Sequence, residues 1–214
     1  SSVNGIAKLI AINLETGAVT KISTYAGSTT SPNGLSSPAL IDEDRDGKVD
    51  IAYAGDIDGQ LWKFDLSGNT PGSWTVDYSR APLYAGTSAQ PITTAPDVTA
   101  HPAGGYLVAF GTGRLLTAAD SNDSTPQAVV GIRDDGSTPP TAAELATKLL
   151  AVPWLGATYV PVDPNNFTPD TDASQDVALI SPDAGAVDWT TKVGWKQTLP
   201  GGLKVLDDVQ IRGA

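Results

Sequence analysis

The chain has 214 residues, including 22 Gly and 16 Pro, and a formal net charge of −11. This charge repels nucleic-acid phosphates and anionic lipid heads, which argues against both as partners. The absence of Cys excludes disulfides and thiolate metal sites, and no apolar run approaches the roughly 18 residues that span a bilayer. Since the chain starts at Ser1 and contains no Met, we expect it to be processed or part of a longer protein.

A β-hairpin is predicted near the start of the chain. Residues 7–14 (AKLIAINL) alternate in polarity, a Glu-Thr-Gly turn follows, and residues 18–22 resume an extended pattern. The segment 59–66 (GQLWKFDL) repeats this strand 52 residues later. A period near 50 with a strand, an Asx residue and a Gly turn is typical of propeller blades.

Further elements follow from the same reasoning. Short apolar strands are predicted at 38–41, 49–54, 91–99, 105–111, 129–133, 185–198 and 202–211. Residues 137–148 predict a short helix, capped by Thr141, or a turn, and 163–176 predict a long surface loop.

We therefore predict an all-β fold that forms part of a β-propeller, with residues 1–214 as one domain portion. Three to four four-stranded blades lie at approximately 5–36, 37–80, 81–136 and 145–212. Because about four blades or more are needed to close a propeller, we expect further blades to cover the terminal edges.

Residues 42–50 read DEDRDGKVD and carry the most specific chemistry. In a tight loop the side chains of Asp42, Asp44 and Asp46 converge, Lys48 turns its backbone carbonyl inward, and Asp50 completes an all-oxygen shell. Such a shell suits Ca²⁺ better than Mg²⁺, which demands a strict octahedron.

This loop departs from an EF-hand in two respects. Tyr53 occupies the twelfth position, where a bidentate Glu is expected, and strands flank the loop instead of helices. An acidic surface turn is the alternative interpretation, but it does not require this spacing or Gly47.

Weaker candidates have simpler explanations. A second calcium site from Asp163, Asp170, Asp172 and Asp176 lacks regular spacing, so a solvated loop is favoured. Residues 111–114 (GTGR) are interpreted as a β-turn and not as a phosphate loop. His101, the single histidine, has no visible catalytic partner. No catalytic residues are assigned, and we expect no enzyme activity.

Several segments resemble the C-terminal propeller of the PilY/PilC family of type IV pilus biogenesis and tip-adhesin proteins. They include Gly34–Leu40, the acidic loop, Ala52–Asp56, Gly59–Leu66, Gln90–Thr93, His101–Pro102, Phe110–Arg114, Gly131–Ile132 and Gly194–Trp195. The resemblance implies a seven-bladed, calcium-dependent propeller in which Asp42, Asp44, Asp46, Lys48 and Asp50 hold the Ca²⁺ cofactor.

The same resemblance implies export by a Gram-negative-type cell to the extracellular surface, where the domain supports pilus assembly, adhesion and twitching motility. The implied partners are pilin or minor pilins, the rest of its own propeller, and a host or surface ligand.

Two other families share parts of the pattern. LIAINLETGAVT, residues 9–20, is similar to repeats of pyrroloquinoline-quinone dehydrogenase propellers, which predicts a quinoprotein-dehydrogenase-like architecture. Integrin-like calcium repeats also pair strands with this loop, and they imply a generic extracellular adhesion or filament-associated protein.

Overall fold

The computed structural model describes residues 4–153 and 186–211. Within them the chain is mainly β-structure, with one α-helix and three short 3₁₀ turns. None of the described helices is long and apolar enough to cross a membrane.

The first sheet is an antiparallel hairpin of β1 (Lys8–Ile12) and β2 (Val19–Ser23). The side-chain oxygen of Asn13 organises its turn by accepting the N–H groups of Glu15 at 3.0 Å and Thr16 at 2.9 Å. This Asx turn explains why the apolar strand must be followed by a short polar acceptor. The predicted hairpin is confirmed.

The second sheet is antiparallel, with the order β3–β4–β5–β6 and with β7 also paired to β5. Its strands are β3 (Ala39–Ile41), β4 (Ile51–Gly55), β5 (Gln60–Asp65), β6 (Thr75–Val76) and β7 (Tyr84–Ala85). In β4 the side chains of Ala52, Tyr53 and Ala54 are all buried. The strands predicted at 38–41, 49–54 and 59–66 are confirmed.

A buried aspartate organises the turn between β4 and β5. Asp56 accepts hydrogen bonds from Trp62 Nε1 at 2.7 Å and Asn33 Nδ2 at 2.8 Å. Its other oxygen accepts the N–H groups of Asp58 and Gln60. Burial raises the pKa of Asp56, and the hydrogen bonds offset part of that effect. Asp56 and Trp62 therefore serve a structural role.

The third sheet has the order β11–β12–β10–β9–β8, and only the β11–β12 pair is parallel. Its strands are β8 (Asp97–Ala100), β9 (Tyr106–Gly111), β10 (Ala128–Asp134), β11 (Leu149–Val152) and β12 (Gly194–Thr198). The strands predicted at 105–111 and 129–133 are confirmed. The strand predicted at 91–99 starts only at Asp97, because Pro91 and Pro96 have no N–H group for a ladder.

The predicted helix is confirmed as α1 (Ala142–Lys148). Thr141 Oγ1 accepts the N–H of Glu144 at 3.3 Å, and the Glu144 carboxylate accepts the N–H of Thr141 at 2.9 Å. This capping box starts the helix directly after Pro139 and Pro140, which makes it shorter than the predicted 137–148.

Two predictions about the last part of the chain differ from the structure. The strand predicted at 202–211 is absent from the described residues up to 211, which form turns and irregular chain. Of the strand predicted at 185–198, the described part contains only β12. Two described strands, β11 and β12, lie within the blade predicted at 145–212. They belong to the third sheet, because β12 pairs with β10 as well as with β11.

The segment 203–211 instead packs on the third sheet. The N–H of Val205 donates to the Thr112 carbonyl at 3.0 Å, and the N–H of Ile211 donates to Asp97 Oδ2. A methyl group built on Gly111 would lie 2.2 Å from Val205 Cγ1, so this packing depends on a glycine. Residues 111–114 contain the end of β9 and an isolated bridge between Gly113 and Ile92, so the predicted β-turn is wrong.

The second sheet lies between the other two. One buried cluster joins it to the third sheet and includes Tyr53, Leu61, Phe110 and Val130. A second cluster joins it to the first hairpin through residues such as Ile22 and Phe64. Successive sheets that bury their faces against one another are the arrangement expected of propeller blades. The blade boundaries, the number of blades and the quinoprotein-like architecture stay predictions.

Candidate metal centre

The acidic loop 42–50 connects β3 to β4. Ile41 pairs with Ile51 at its base, and the N–H of Asp50 donates to the Ile41 carbonyl at 2.8 Å. The Asp50 carbonyl accepts the N–H of Leu66 at 2.7 Å, which ties the loop to the end of β5. The loop is therefore anchored to three adjacent strands.

Three of the predicted ligands converge. Carboxylate oxygens of Asp42, Asp44 and Asp50 all lie within 4.8 Å of one another. Asp42 and Asp50 are partly buried, whereas Asp44 is exposed. Three carboxylates at this separation repel each other, and together they offer the hard oxygen donors that Ca²⁺ prefers. The donor set fits the predicted cation.

Backbone N–H groups orient these carboxylates. Asp42 accepts from the N–H of Asp46 at 3.1 Å and of Gly47 at 2.9 Å, while Asp50 Oδ2 accepts from the N–H of Glu43 at 2.7 Å. Gly47 has φ of +87° and Arg45 has φ of +63°, so the loop passes twice through the left-handed region. Gly47 suits that conformation at low cost, as the motif predicted.

The other two predicted ligands are engaged with each other. Asp46 accepts the Lys48 N–H at 2.8 Å and forms an ion pair with the Lys48 ammonium. These hydrogen bonds lower the pKa of Asp46, and the same carboxylate raises the pKa of Lys48. The Asp46 carboxylate and the Lys48 carbonyl stay predicted ligands.

Tyr53, at the twelfth position, turns away from the loop. Its buried hydroxyl donates to Asp134 Oδ2 at 2.6 Å, on the neighbouring sheet. Burial raises the pKa of Tyr53, and the negative charge of Asp134 raises it further to a smaller extent. This residue therefore belongs to the packing between the sheets.

A buried ionic cluster surrounds Asp134. Lys63 Nζ lies 3.0 Å from Asp134 Oδ2 and 3.3 Å from Asp77 Oδ2, and the Tyr78 hydroxyl also donates to Asp134. Burial disfavours the charge on Asp134, but bonds from Tyr53 and Tyr78 and the Lys63 charge outweigh it and lower its pKa. Sequence reasoning missed this cluster, because it brings together residues from distant strands.

Sequence reasoning also missed a contact of Glu43. The Tyr106 hydroxyl, at the start of β9, donates to Glu43 Oε1 at 3.1 Å. Partial burial and this bond raise the pKa of Tyr106. One signal in the sequence could have indicated this contact. Glu43 lies between the predicted ligands Asp42 and Asp44, so its side chain points away from the ligand group and is free to contact another element.

A groove of about 560 Å³ runs beside the loop. Its apolar wall comes from both the first hairpin and the second sheet, and it includes Leu9, Ile10, Leu40, Leu66 and Trp74. Asp44, Asp46 and Asp50 line the same space. The loop therefore borders the junction between the first two sheets.

The weaker candidates have structural explanations where they are described. His101 packs edge-on against Trp189, with ring centroids 4.5 Å apart, and its Nδ1 accepts the Ala103 N–H. Desolvation and the charge of Arg133 lower the pKa of His101. The disfavoured second calcium site at Asp163, Asp170, Asp172 and Asp176 lies outside the described residues.

Comparison with known families gives a match over most of the chain. The family described as the PilY1 β-propeller domain matches residues 1–149. This chain belongs to that family. The PilY1 domain is a β-propeller by its description, in agreement with the predicted fold.

Relatives support the assignment. Residues of this chain are 40% identical over 169 positions to the type IV pilus biogenesis factor PilY1 of Pseudomonas aeruginosa, covering 65% of this chain and 15% of that protein. A PilY1 homologue of Xylella fastidiosa is 37% identical over 155 positions, covering 64% of this chain and 10% of the homologue. The chain therefore spans a small fraction of the length of these relatives.

A solved structure shows the same fold. The crystal structure of the Pseudomonas aeruginosa PilY1 C-terminal domain superposes with a TM-score of 0.73 and 31% identity, covering 92% of this chain and 45% of that domain. The likeness thus extends beyond the residues that the family match covers.

Proposed function

We propose that this chain is part of a calcium-binding β-propeller of a type IV pilus biogenesis factor, acting in pilus assembly, surface adhesion and twitching motility. Membership in the PilY1 family supports the proposed pilus role, and the converging carboxylates of the acidic loop support the proposed calcium binding. The proposed location is the extracellular surface, in association with the pilus.

The loop supplies the proposed calcium ligands. Asp42, Asp44 and Asp50 provide three carboxylate ligands. The bound cation displaces the Lys48 ammonium from Asp46, whose carboxylate becomes the fourth ligand. The Lys48 carbonyl completes the set. Ca²⁺ is favoured over Mg²⁺ because several carboxylates in a flexible loop suit its larger and more variable shell.

The proposed role of calcium is structural and regulatory, and we propose no catalytic activity. The loop bridges β3 and β4 and touches the end of β5, so neutralising its charge stabilises the second sheet. The buried charges of Lys63 and Asp134 are paired across two sheets, as expected of packing groups.

The partners that we propose include further blades of the same polypeptide. Ile10 and Ile12 of β1 and Val19 of β2 are each more than half exposed, at 55%, 58% and 52%. They share one face of the first hairpin with Lys21, the cross-strand partner of Ile10, and a neighbouring blade would bury these apolar side chains. We propose pilin or minor pilins as the partners of the complete propeller.

The pilus role is tested in a piliated bacterium that expresses the full-length protein. Replacing Asp44 and Asp50 together by Ala is expected to reduce surface pili and twitching while protein abundance stays normal. The control replaces two exposed acids outside the loop, Glu15 and Asp207, by Ala. Normal piliation and twitching in the Asp44/Asp50 variant would refute a regulatory role for the loop.

A further inference from the structure

The second residue of the acidic loop contacts the third sheet. Glu43 lies outside the group formed by Asp42, Asp44 and Asp50, and its Oε1 accepts the Tyr106 hydroxyl at 3.1 Å. Tyr106 is the first residue of β9. A side chain of the candidate calcium loop is thus bonded to a different sheet from the one that carries the loop.

The backbone of Glu43 is tied to a predicted ligand. Its N–H donates to Asp50 Oδ2 at 2.7 Å, and the N–H of Asp44 approaches the same oxygen at 3.4 Å. A cation that fixes the Asp50 carboxylate also fixes the peptide that carries Glu43. The position of the Glu43 side chain therefore depends on the geometry of the ligand group.

On the other side, Tyr106 leads directly into the buried junction between the sheets. Its ring meets the Tyr53 ring edge-on, with centroids 6.5 Å apart, and it lies opposite Asp134 in the β9–β10 ladder. Asp134 in turn accepts from Tyr53 and pairs with Lys63 of β5. A continuous set of contacts thus runs from the loop to the charged cluster that joins the second and third sheets.

We propose that calcium in the loop strengthens the docking of the third sheet on the second through the Glu43–Tyr106 hydrogen bond. The proposal rests on the calcium binding proposed above and adds a route by which occupancy is communicated between blades. In the calcium-bound loop Glu43 is held where Tyr106 can donate to it. In the calcium-free loop, repulsion among the carboxylates leaves Glu43 less constrained.

Thermodynamic reciprocity makes this route measurable. If calcium favours the Glu43–Tyr106 bond, the bond must favour calcium by the same factor. Tyr106→Phe removes the hydroxyl and keeps the ring that packs on Tyr53. Because the contact is partly exposed, we expect the calcium Kd to rise about threefold.

A double-mutant cycle separates this bond from the general charge of the loop. Calcium Kd is measured by calorimetry for the wild type, Glu43→Ala, Tyr106→Phe and the double variant. Tyr106→Phe is expected to weaken binding with Glu43 present and to have no effect in the Glu43→Ala background. Tyr25→Phe is the matched control, since that ring is exposed and packs on Arg80.

Hydrogen exchange gives a second readout. Calcium is expected to slow amide exchange in the loop and also at residues 106–108 and 132–134 of the wild type, and to slow only the loop in Tyr106→Phe. The proposal is overturned if Tyr106→Phe binds calcium like the wild type, if its effect is equal in both backgrounds, or if protection stops at the loop. If the wild type binds no calcium, the proposed calcium cofactor is wrong, and the proposed coupling, which depends on it, is wrong as well.

Discussion

Replacing Asp134 by Asn tests the buried cluster between the second and third sheets. The Asp134 side chain is 1% exposed and that of Lys63 is 13% exposed, so their 3.0 Å contact is largely shielded from water. Losing one partner of a buried ion pair costs about 3–5 kcal/mol. Lys63 keeps Asp77 at 3.3 Å, and the Asn oxygen still accepts from a tyrosine, so we expect a loss of about 2–3 kcal/mol.

The assay is urea unfolding of the wild type and Asp134→Asn at neutral pH, with comparable m-values. Asp135→Asn is the control, because the neighbouring carboxylate is exposed and should matter by less than about 0.5 kcal/mol. If Asp134→Asn costs no more than the control, the cluster does not stabilise this junction.

The pH dependence of the same difference gives an independent check. The folded-state pKa of Asp134 is lowered, so its contribution is present above the unfolded pKa and is lost as pH falls through the folded pKa. The stability gap between wild type and Asp134→Asn should therefore narrow in acid. The pKa of Lys63 is raised in the folded state, so the stability that Lys63 contributes is lost only when the pH rises through that strongly alkaline folded-state pKa. A gap that widens in acid would contradict the ion pair.

Three further predictions test other parts of the fold. Gly111→Ala should cost about 1–3 kcal/mol in urea unfolding, because its methyl group would collide with Val205; an unchanged midpoint would contradict that packing. Thr141→Ala should speed amide exchange in the first turn of α1 and remove about 1 kcal/mol of local stability, whereas unchanged exchange would mean that the capping box is dispensable. The hydrogen bond from Arg114 is the main cause that lowers the pKa of the Asp120 carboxyl to about 2, so this carboxyl should titrate near pH 2 by NMR and its pKa should rise in Arg114→Ala. Because the pKa is lower in the folded than in the unfolded state, the stability that Asp120 contributes is lost as pH falls toward 2. An ordinary Asp120 pKa in the wild type would refute the Arg114 contact.

Local sequence patterns predicted the local structure well. The Asn13 turn, the Thr141 cap and the loop around Gly47 all depend on residues within a few positions of one another. Their chemistry is set by backbone conformation and by short side-chain acceptors, so it can be inferred from spacing.

Contacts between sheets could not be predicted in the same way. Tyr53 and Asp134 are 81 positions apart, and Glu43 and Tyr106 are 63 apart, so nothing in their local patterns pairs them. Segment 203–211 has strand-like composition, yet it is irregular and packs on the third sheet, where Gly111 leaves room for Val205. Tertiary packing overrides local propensity at such places.

The candidate metal centre lies between these two cases. The spacing identified the loop and the chemical type of its donors, and Asp42, Asp44 and Asp50 do converge. The pairing of Asp46 with Lys48 did not follow from the motif, which assigned the lysine only a carbonyl role. The ion pair between the Lys48 ammonium and the Asp46 carboxylate is a property of the folded loop.

Calorimetric titration of the purified protein with Ca²⁺ tests the central claim most directly. The wild type is expected to bind Ca²⁺ saturably, with a Kd of about 10⁻⁴–10⁻³ M as in many extracellular modules. The Asp44→Ala/Asp50→Ala variant should lose that binding, whereas Glu15→Ala/Asp207→Ala, with the same change in net charge, should retain it. Absence of uptake by the wild type, or equal binding by the loop variant, would contradict a calcium site at residues 42–50.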